Sequence, residues 1–152
     1  MSTDRILVHA DIAPTFMAAL KTALASQPAD PNSPPPPPTL VNQASKDRVQ
    51  KLVSSALASG AYLVHDTGVT RSLDGDGAND GVRMPPAILA GVTEDMAVWQ
   101  EENFASLASC LVVRSDEEAV RIANDSGYGL SAAVFTEDLR KGFALARRIQ
   151  TG

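Results

Sequence analysis

Short apolar runs alternate with stretches of helical periodicity along most of this chain, and that alternation limits the available folds more than any other feature. Arg5-Ile6-Leu7-Val8-His9 is an apolar run of strand length. Behind it Ile12, Phe16, Leu20, Ala23 and Leu24 recur at the spacing that lines one face of a helix, from about Ile12 to Ala25. Val49, Leu52, Val53, Ala56 and Leu57 form a second stripe, with Gly60 placed to end it. Ala61 to His65 reads as the next strand, Ala87 to Leu89 as a brief one and Leu107 to Val113 as a strongly apolar one. Between these, Thr93 with Glu94 and Asp95 marks the start of a short helical turn. Ser115-Asp116-Glu117-Glu118 has capping-box spacing, Ser115 as cap and Glu118 reaching back, and opens a helix with Ala119, Val120 and Ala123 inward. Ser131 to Phe135 reads as a strand, and Thr136 as the cap of a last helix that buries Leu139, Phe143, Ala146 and Ile149. Strands separated by helices imply crossover connections and parallel pairing, hence an α/β fold: a layered parallel sheet with flanking helices.

Two segments interrupt this rhythm. From about 28 to 38 the chain is proline-rich and ends in five consecutive prolines, which lack backbone donors and favour extended polyproline geometry. An exposed stiff connector is expected there, and a docking site for a proline-reading module is the other reading. From about 72 to 81 the chain is rich in glycine and aspartate. Asp74-Gly75-Asp76-Gly77-Ala78-Asn79-Asp80 superficially suggests a calcium loop, but Ala78 holds a ligand position, Asn79 replaces the turn glycine and Pro85 stands where the bidentate glutamate belongs. No metal site is expected.

At 152 residues a single domain over 1–152 is expected. A net charge of −5 without a basic stretch argues against nucleic acid or an anionic membrane as partner. The lone cysteine, Cys110, excludes an internal disulfide and suits a reducing compartment, so a cytoplasmic location is expected. Cys110 lies in an apolar strand with no cation beside it, which reads as a buried structural thiol. His9 and His65 flank strand ends without an evident partner and read as structural or surface residues.

Ala123-Asn124-Asp125-Ser126-Gly127-Tyr128-Gly129-Leu130-Ser131-Ala132-Ala133-Val134-Phe135-Thr136 resembles the aldehyde dehydrogenase signature A-N-x-x-x-Y-G-L-x-A-x-V-F-T. Gly91-Val92-Thr93-Glu94-Asp95-Met96 and Glu101-Glu102-Asn103-Phe104 are similar to that family's G-V-T-x-x-M and E-E-x-F segments. Met1-Ser2-Thr3-Asp4-Arg5-Ile6 is similar to the stretch after the active-site cysteine in the salicylaldehyde-dehydrogenase-like branch. The resemblance covers essentially the whole chain and is weakest from Pro28 to Pro86.

What it implies is a catalytic-domain piece. In the family a cysteine thiolate attacks the aldehyde so that hydride can pass to a nicotinamide. The resemblance puts that cysteine immediately before Met1, and the activating glutamate, the oxyanion-hole asparagine and the dinucleotide-binding domain upstream of it. No glycine-rich phosphate loop follows a strand in these residues either. The resemblance assigns Glu102 to the nicotinamide ribose and Phe104 to the nicotinamide ring, as inherited, vestigial cofactor contacts. The family's Gly-Pro after this Phe is replaced by Ala105-Ser106.

The expectation is therefore a truncated aldehyde-dehydrogenase-like protein that does not carry out NAD-dependent oxidation alone, with no cofactor of its own. One reading repurposes it as a cofactor-independent binder of a hydrophobic small molecule, or a cyclase- or isomerase-type catalyst in a biosynthetic pathway, since shape alone can hold reactive conformers. Its pocket would be lined by Glu102, Phe104, Trp99 and Tyr128, with the catalytic residues unknown. The alternative is a non-catalytic subunit, or a fragment, of an NAD(P)-dependent aldehyde dehydrogenase. The face bared by truncation is expected to drive homo-oligomerisation or binding to a full-length dehydrogenase.

Overall fold

The computed structural model describes residues 3–25, 37–66, 68–73 and 81–151. Four strands form one sheet: β1 (Arg5–His9), β2 (Tyr62–Leu63), β3 (Ala87–Ala90) and β4 (Leu107–Val113), in the order β1-β4-β3-β2. β1 and β3 both run parallel to β4, with Ile6 opposite Cys110 and Leu89 opposite Ser109. The helices are α1 (Ala13–Ala25), α2 (Gln43–Ala58), α3 (Val69–Leu73), α4 (Ala97–Gln100), α5 (Asp116–Asn124) and α6 (Leu139–Ala146). The architecture is the layered, parallel-dominated α/β fold expected. The calcium-like stretch 74–80 and most of the proline-rich stretch (28–36) lie outside the described residues.

β4 is central and buried along nearly its whole length, which explains why LASCLVV reads as a continuous apolar run. Successive side chains point to opposite faces. Leu107, Leu111 and Val113 join Leu89, Val49, Val53, Trp99 and Ile122 in the larger core, under α2, α4 and α5. Cys110 joins Ala90 and Val64 in a smaller core covered by Phe16, Met17, Leu20 and Leu24 of α1. Each fully buried Leu or Val contributes roughly 1.5–3 kcal/mol relative to exposure.

Local signals account for the helix ends. Asn42 caps α2 by accepting the Ser45 N–H at 2.8 Å, and Gly60, at φ 99°, ends the turn after it. Ser115 accepts the Glu118 N–H at 3.1 Å, while the Glu118 carboxylate reaches back to the Arg114 N–H at 2.6 Å, one residue before the cap. Inside α5 it is Val120 and Ile122 that are fully buried, Ala119 and Ala123 only in part.

Several expectations need correction. The strand expected over Ala61 to His65 shrinks to Tyr62–Leu63 and runs antiparallel to β3, because strand–helix alternation predicts that a strand exists but does not encode the direction of an edge strand. The helical turn expected at Thr93 is present, the Met96 N–H bonding the Thr93 carbonyl, and the helix α4 follows it at Ala97. Ser131 to Phe135 pairs with no strand among the described residues, and Phe135 is 94% exposed. Beyond it the cap is Asp138, which accepts the Arg140 and Lys141 N–H groups, and Thr136 only supports that turn by accepting the Asp138 N–H. Leu139, Phe143 and Ala146 are exposed and Ile149 is half-buried, because no described layer covers the apolar face of α6.

What holds this last segment is polar. The Asn124 side chain donates to the Arg148 carbonyl and accepts the Gln150 N–H, both at 2.8 Å. Gly129 lies so close to the returning chain that a Cβ there would meet the Gln150 carbonyl at 2.9 Å. Lys141 pairs with Asp116 at 2.9 Å. The Asn and Gly of the signature thus serve the return of the chain after α6. No helix among the described residues is long and apolar enough to cross a membrane.

Candidate functional site

The turn between α4 and β4 carries Glu102 and Phe104. α4 sinks Val98 and Trp99 into the larger core, and the Glu101 N–H closes the helix on the Ala97 carbonyl at 2.9 Å. From α2, Arg48 reaches across, placing Nη2 2.7 Å from the Asn103 carbonyl and Nη1 3.3 Å from Glu101 Oε2. From the start of β1, Asp4 Oδ2 accepts the Asn103 N–H at 3.4 Å. Asn103 is 1% exposed, and its side-chain carbonyl has no hydrogen-bond partner among the described residues. The next residue, Phe104, has φ 51° and is 73% exposed. A left-handed backbone costs an L-residue roughly 1–2 kcal/mol. A large apolar side chain held outward in that conformation is the least expected local feature of the described chain. The Glu102 side chain is half-buried, and no hydrogen bond or ion pair holds its carboxylate among the described residues.

Asp4 and Arg5 tie this turn to its surroundings. The Arg5 guanidinium lies over the Trp99 ring, 4.8 Å from its centroid, and donates to the Asp125 carbonyl at 3.3 Å, three residues before Tyr128. Burial raises the Asp4 carboxyl above its ordinary range, opposed by the Asn103 amide and the Arg5 charge. Burial lowers Arg5, opposed by Asp125, Asp4 and Tyr128. Of the four residues expected to line a pocket, Trp99 is a core residue, Phe104 and Tyr128 are exposed, and Glu102 lies between. Two hollows lie elsewhere: one of about 190 Å³ lined by Leu24, His65, Pro86 and Ile88, another of about 320 Å³ lined by Met17, Tyr62, Ala90 and Val112.

Asp4, Arg48 and Asn103 went unnoticed in the sequence. The available signal was the pair Asp4-Arg5 at the start of an apolar strand, since charges that are partly buried need partners. Burial pushes the Cys110 thiol up to about 11, opposite to what a nucleophile needs. His9 Nδ1 accepts the Asp11 N–H at 3.3 Å, a local turn contact. Among the described residues no three His, Cys, Asp or Glu side chains gather to hold a metal. An exposed aromatic side chain two residues after a carboxylate with no partner among the described residues could hold the ribose–nicotinamide end of a dinucleotide. The described residues hold no glycine-rich phosphate loop for its other end.

The model of the aldehyde dehydrogenase family matches residues 1–152. A vanillin dehydrogenase from a Pseudomonas species is 40% identical over 154 residues, covering all of this chain and 30% of that protein. A benzaldehyde dehydrogenase from Bacillus subtilis is 35% identical over 156 residues, again all of this chain and 30% of the relative. Among solved structures, the salicylaldehyde dehydrogenase of Pseudomonas putida G7, complexed with salicylaldehyde, superposes with a TM-score of 0.80 at 29% identity, over 98% of this chain and 29% of that one. The chain therefore spans about 30% of the length of the curated relatives it matches. On sequence and architecture alike, the chain belongs to the aldehyde dehydrogenase family.

Proposed function

We propose that this chain is a catalytic-domain segment of an NAD(P)-dependent aldehyde dehydrogenase acting on aromatic aldehydes, and that it does not oxidise aldehydes by itself. The observation that carries the reading is Phe104, exposed and held in the left-handed region two residues after Glu102, whose carboxylate has no partner among the described residues. When bound, the nicotinamide would supply the hydride acceptor. Glu102 would accept hydrogen bonds from the ribose hydroxyls, and Phe104 would pack against the ring and keep water from it. Thiol, base and phosphate-binding elements lie outside residues 1–152 in this reading. Vanillin, benzaldehyde and salicylaldehyde in the relatives' names support the aromatic class. The exposed Tyr128, Leu130, Leu139 and Phe143 support association with itself or with a full-length dehydrogenase.

The test is an NMR titration of the chain with nicotinamide mononucleotide, which lacks the adenine half. Shifts confined to Glu102, Phe104 and their neighbours are expected, weakened in Glu102→Gln and Phe104→Ala. Equal binding by both variants would sink the assignment.

The hollow of about 320 Å³ favours a second reading, a cofactor-independent binder or cyclisation catalyst for a hydrophobic small molecule in a biosynthetic pathway. It opens beside Ala10, Ala90 and Val112, toward the C-terminal ends of β1, β3 and β4, where open parallel sheets take ligands. A panel of hydrophobic aromatics that leaves Met17, Tyr62 and Val112 unperturbed would remove that reading.

A further inference from the structure

Phe104 cannot hold its own conformation, since a left-handed backbone is unfavourable for a residue with a Cβ. Something must over-determine it. The φ of Phe104 is set by how the peptide plane between Asn103 and Phe104 is turned, and the Asn103 carbonyl lies in that plane. Arg48 Nη2 binds that carbonyl at 2.7 Å, the shortest contact in the turn, while Nη1 of the same guanidinium takes Glu101 Oε2 at 3.3 Å. One rigid fork thus brackets Glu102. On the other side, the Asn103 N–H belongs to the peptide plane shared with Glu102 and is accepted by Asp4 Oδ2. The Asn103 side-chain carbonyl is buried and has no partner among the described residues, so main-chain bonds, not that oxygen, locate the residue there.

We propose that Arg48 and Asp4 are positioning residues that grip the two peptide planes flanking Asn103 and thereby set the presentation of Glu102 and Phe104. The inference deepens the reading of Glu102 and Phe104 as ribose and nicotinamide contacts. Neither Arg48 nor Asp4 touches the ligand in this account. Lysine at 48 keeps the charge but lacks the planar fork, so it holds one of the two acceptors and not both.

The decisive readout is the intraresidue amide–Hα cross-peak of Phe104 in NMR spectra of the whole chain, strong when φ is positive. It is expected to be strong in the wild type, reduced in Arg48→Lys and lost in Arg48→Met, measured well below each variant's thermal midpoint so that the folded chain is what is read. Nicotinamide mononucleotide binding should weaken about tenfold in Arg48→Met, because the variant must order the turn when it binds. If Arg48→Met does not fold, Asp4→Ala at the other plane gives the same readout. A Phe104 that keeps its left-handed signature in both variants, or lacks it in the wild type, overturns the inference. If the signature responds as expected but the mononucleotide perturbs neither Glu102 nor Phe104 in the wild type, the ligand assignment fails and the positioning role stands.

Discussion

Replacing Arg5 by methionine isolates the contact that ties the start of β1 to the turn bearing Glu102 and Phe104. Methionine keeps an apolar stem of similar length, so what disappears is the guanidinium: its stacking on Trp99 at 4.8 Å and its bond to the Asp125 carbonyl at 3.3 Å. The stacking contributes about 0.5–2 kcal/mol, toward the upper end where desolvated. The hydrogen bond is long and contributes roughly 0.5 kcal/mol. Against these, releasing a charge whose pKa is lowered by burial returns part of its desolvation penalty. The net expectation is a destabilisation of about 1 kcal/mol, or roughly 2–4 °C in thermal midpoint for a chain of this size. By comparison, removing the Trp99 ring itself (Trp99→Ala) would cost about 3–5 kcal/mol, so burial of the ring outweighs the cation above it. Trp99 is the chain's single tryptophan, so its fluorescence during urea unfolding reports the transition directly. Native emission should also change, because a charged group has left the ring face. An unchanged midpoint together with an unchanged native spectrum would refute the placement of Arg5 over Trp99.

Two further outcomes follow from the geometry. Asn124→Ala removes both hydrogen bonds to the returning chain and should lower the local stability of residues 125–151 by roughly 1–3 kcal/mol, seen as faster amide exchange there and not in β4. Uniform acceleration across the chain would contradict a local latch. Cys110 should resist alkylation at neutral pH in the folded state, because burial raises its thiol from 9.0 to about 11. The linked stability is fully present below 9.0 and falls as pH rises from there to about 11, where the unfolded thiol ionises and the buried one does not. Cys110→Ala should flatten that fall, and an identical alkaline slope in the variant would show that other groups cause it.

The sequence and the structure agree where a signal is local. β4 and the stripes of α1 and α2 were legible because periodicity reports which residues share a buried face, and Ser115 was legible as a cap because capping spans three residues. The direction of β2 was not, because an edge strand of two residues carries no directional signal. The C-terminal stripe misled for a related reason: Leu139 and Phe143 mark an apolar side, but periodicity is silent about which layer covers it. Glu102 and Phe104 came from the family resemblance. The residues around them did not, since Arg48 meets Asn103 across 55 positions and Asp4 meets it across 99. Such pairings exist only once the sheet has brought α2, β1 and the α4–β4 turn together.

The central claim is that residues 1–152 supply Glu102 and Phe104 to an active site whose other groups lie outside them. The most direct measurement is NADH formation from an aromatic aldehyde, by the isolated chain and by the chain mixed with a polypeptide carrying the rest of a relative such as the Pseudomonas vanillin dehydrogenase. The account predicts no turnover by either part, turnover on mixing, and a mixture made at least about tenfold slower by Glu102→Gln or Phe104→Ala, the loss of one transition-state contact. Turnover by the isolated chain, or a mixture indifferent to both substitutions, would contradict it.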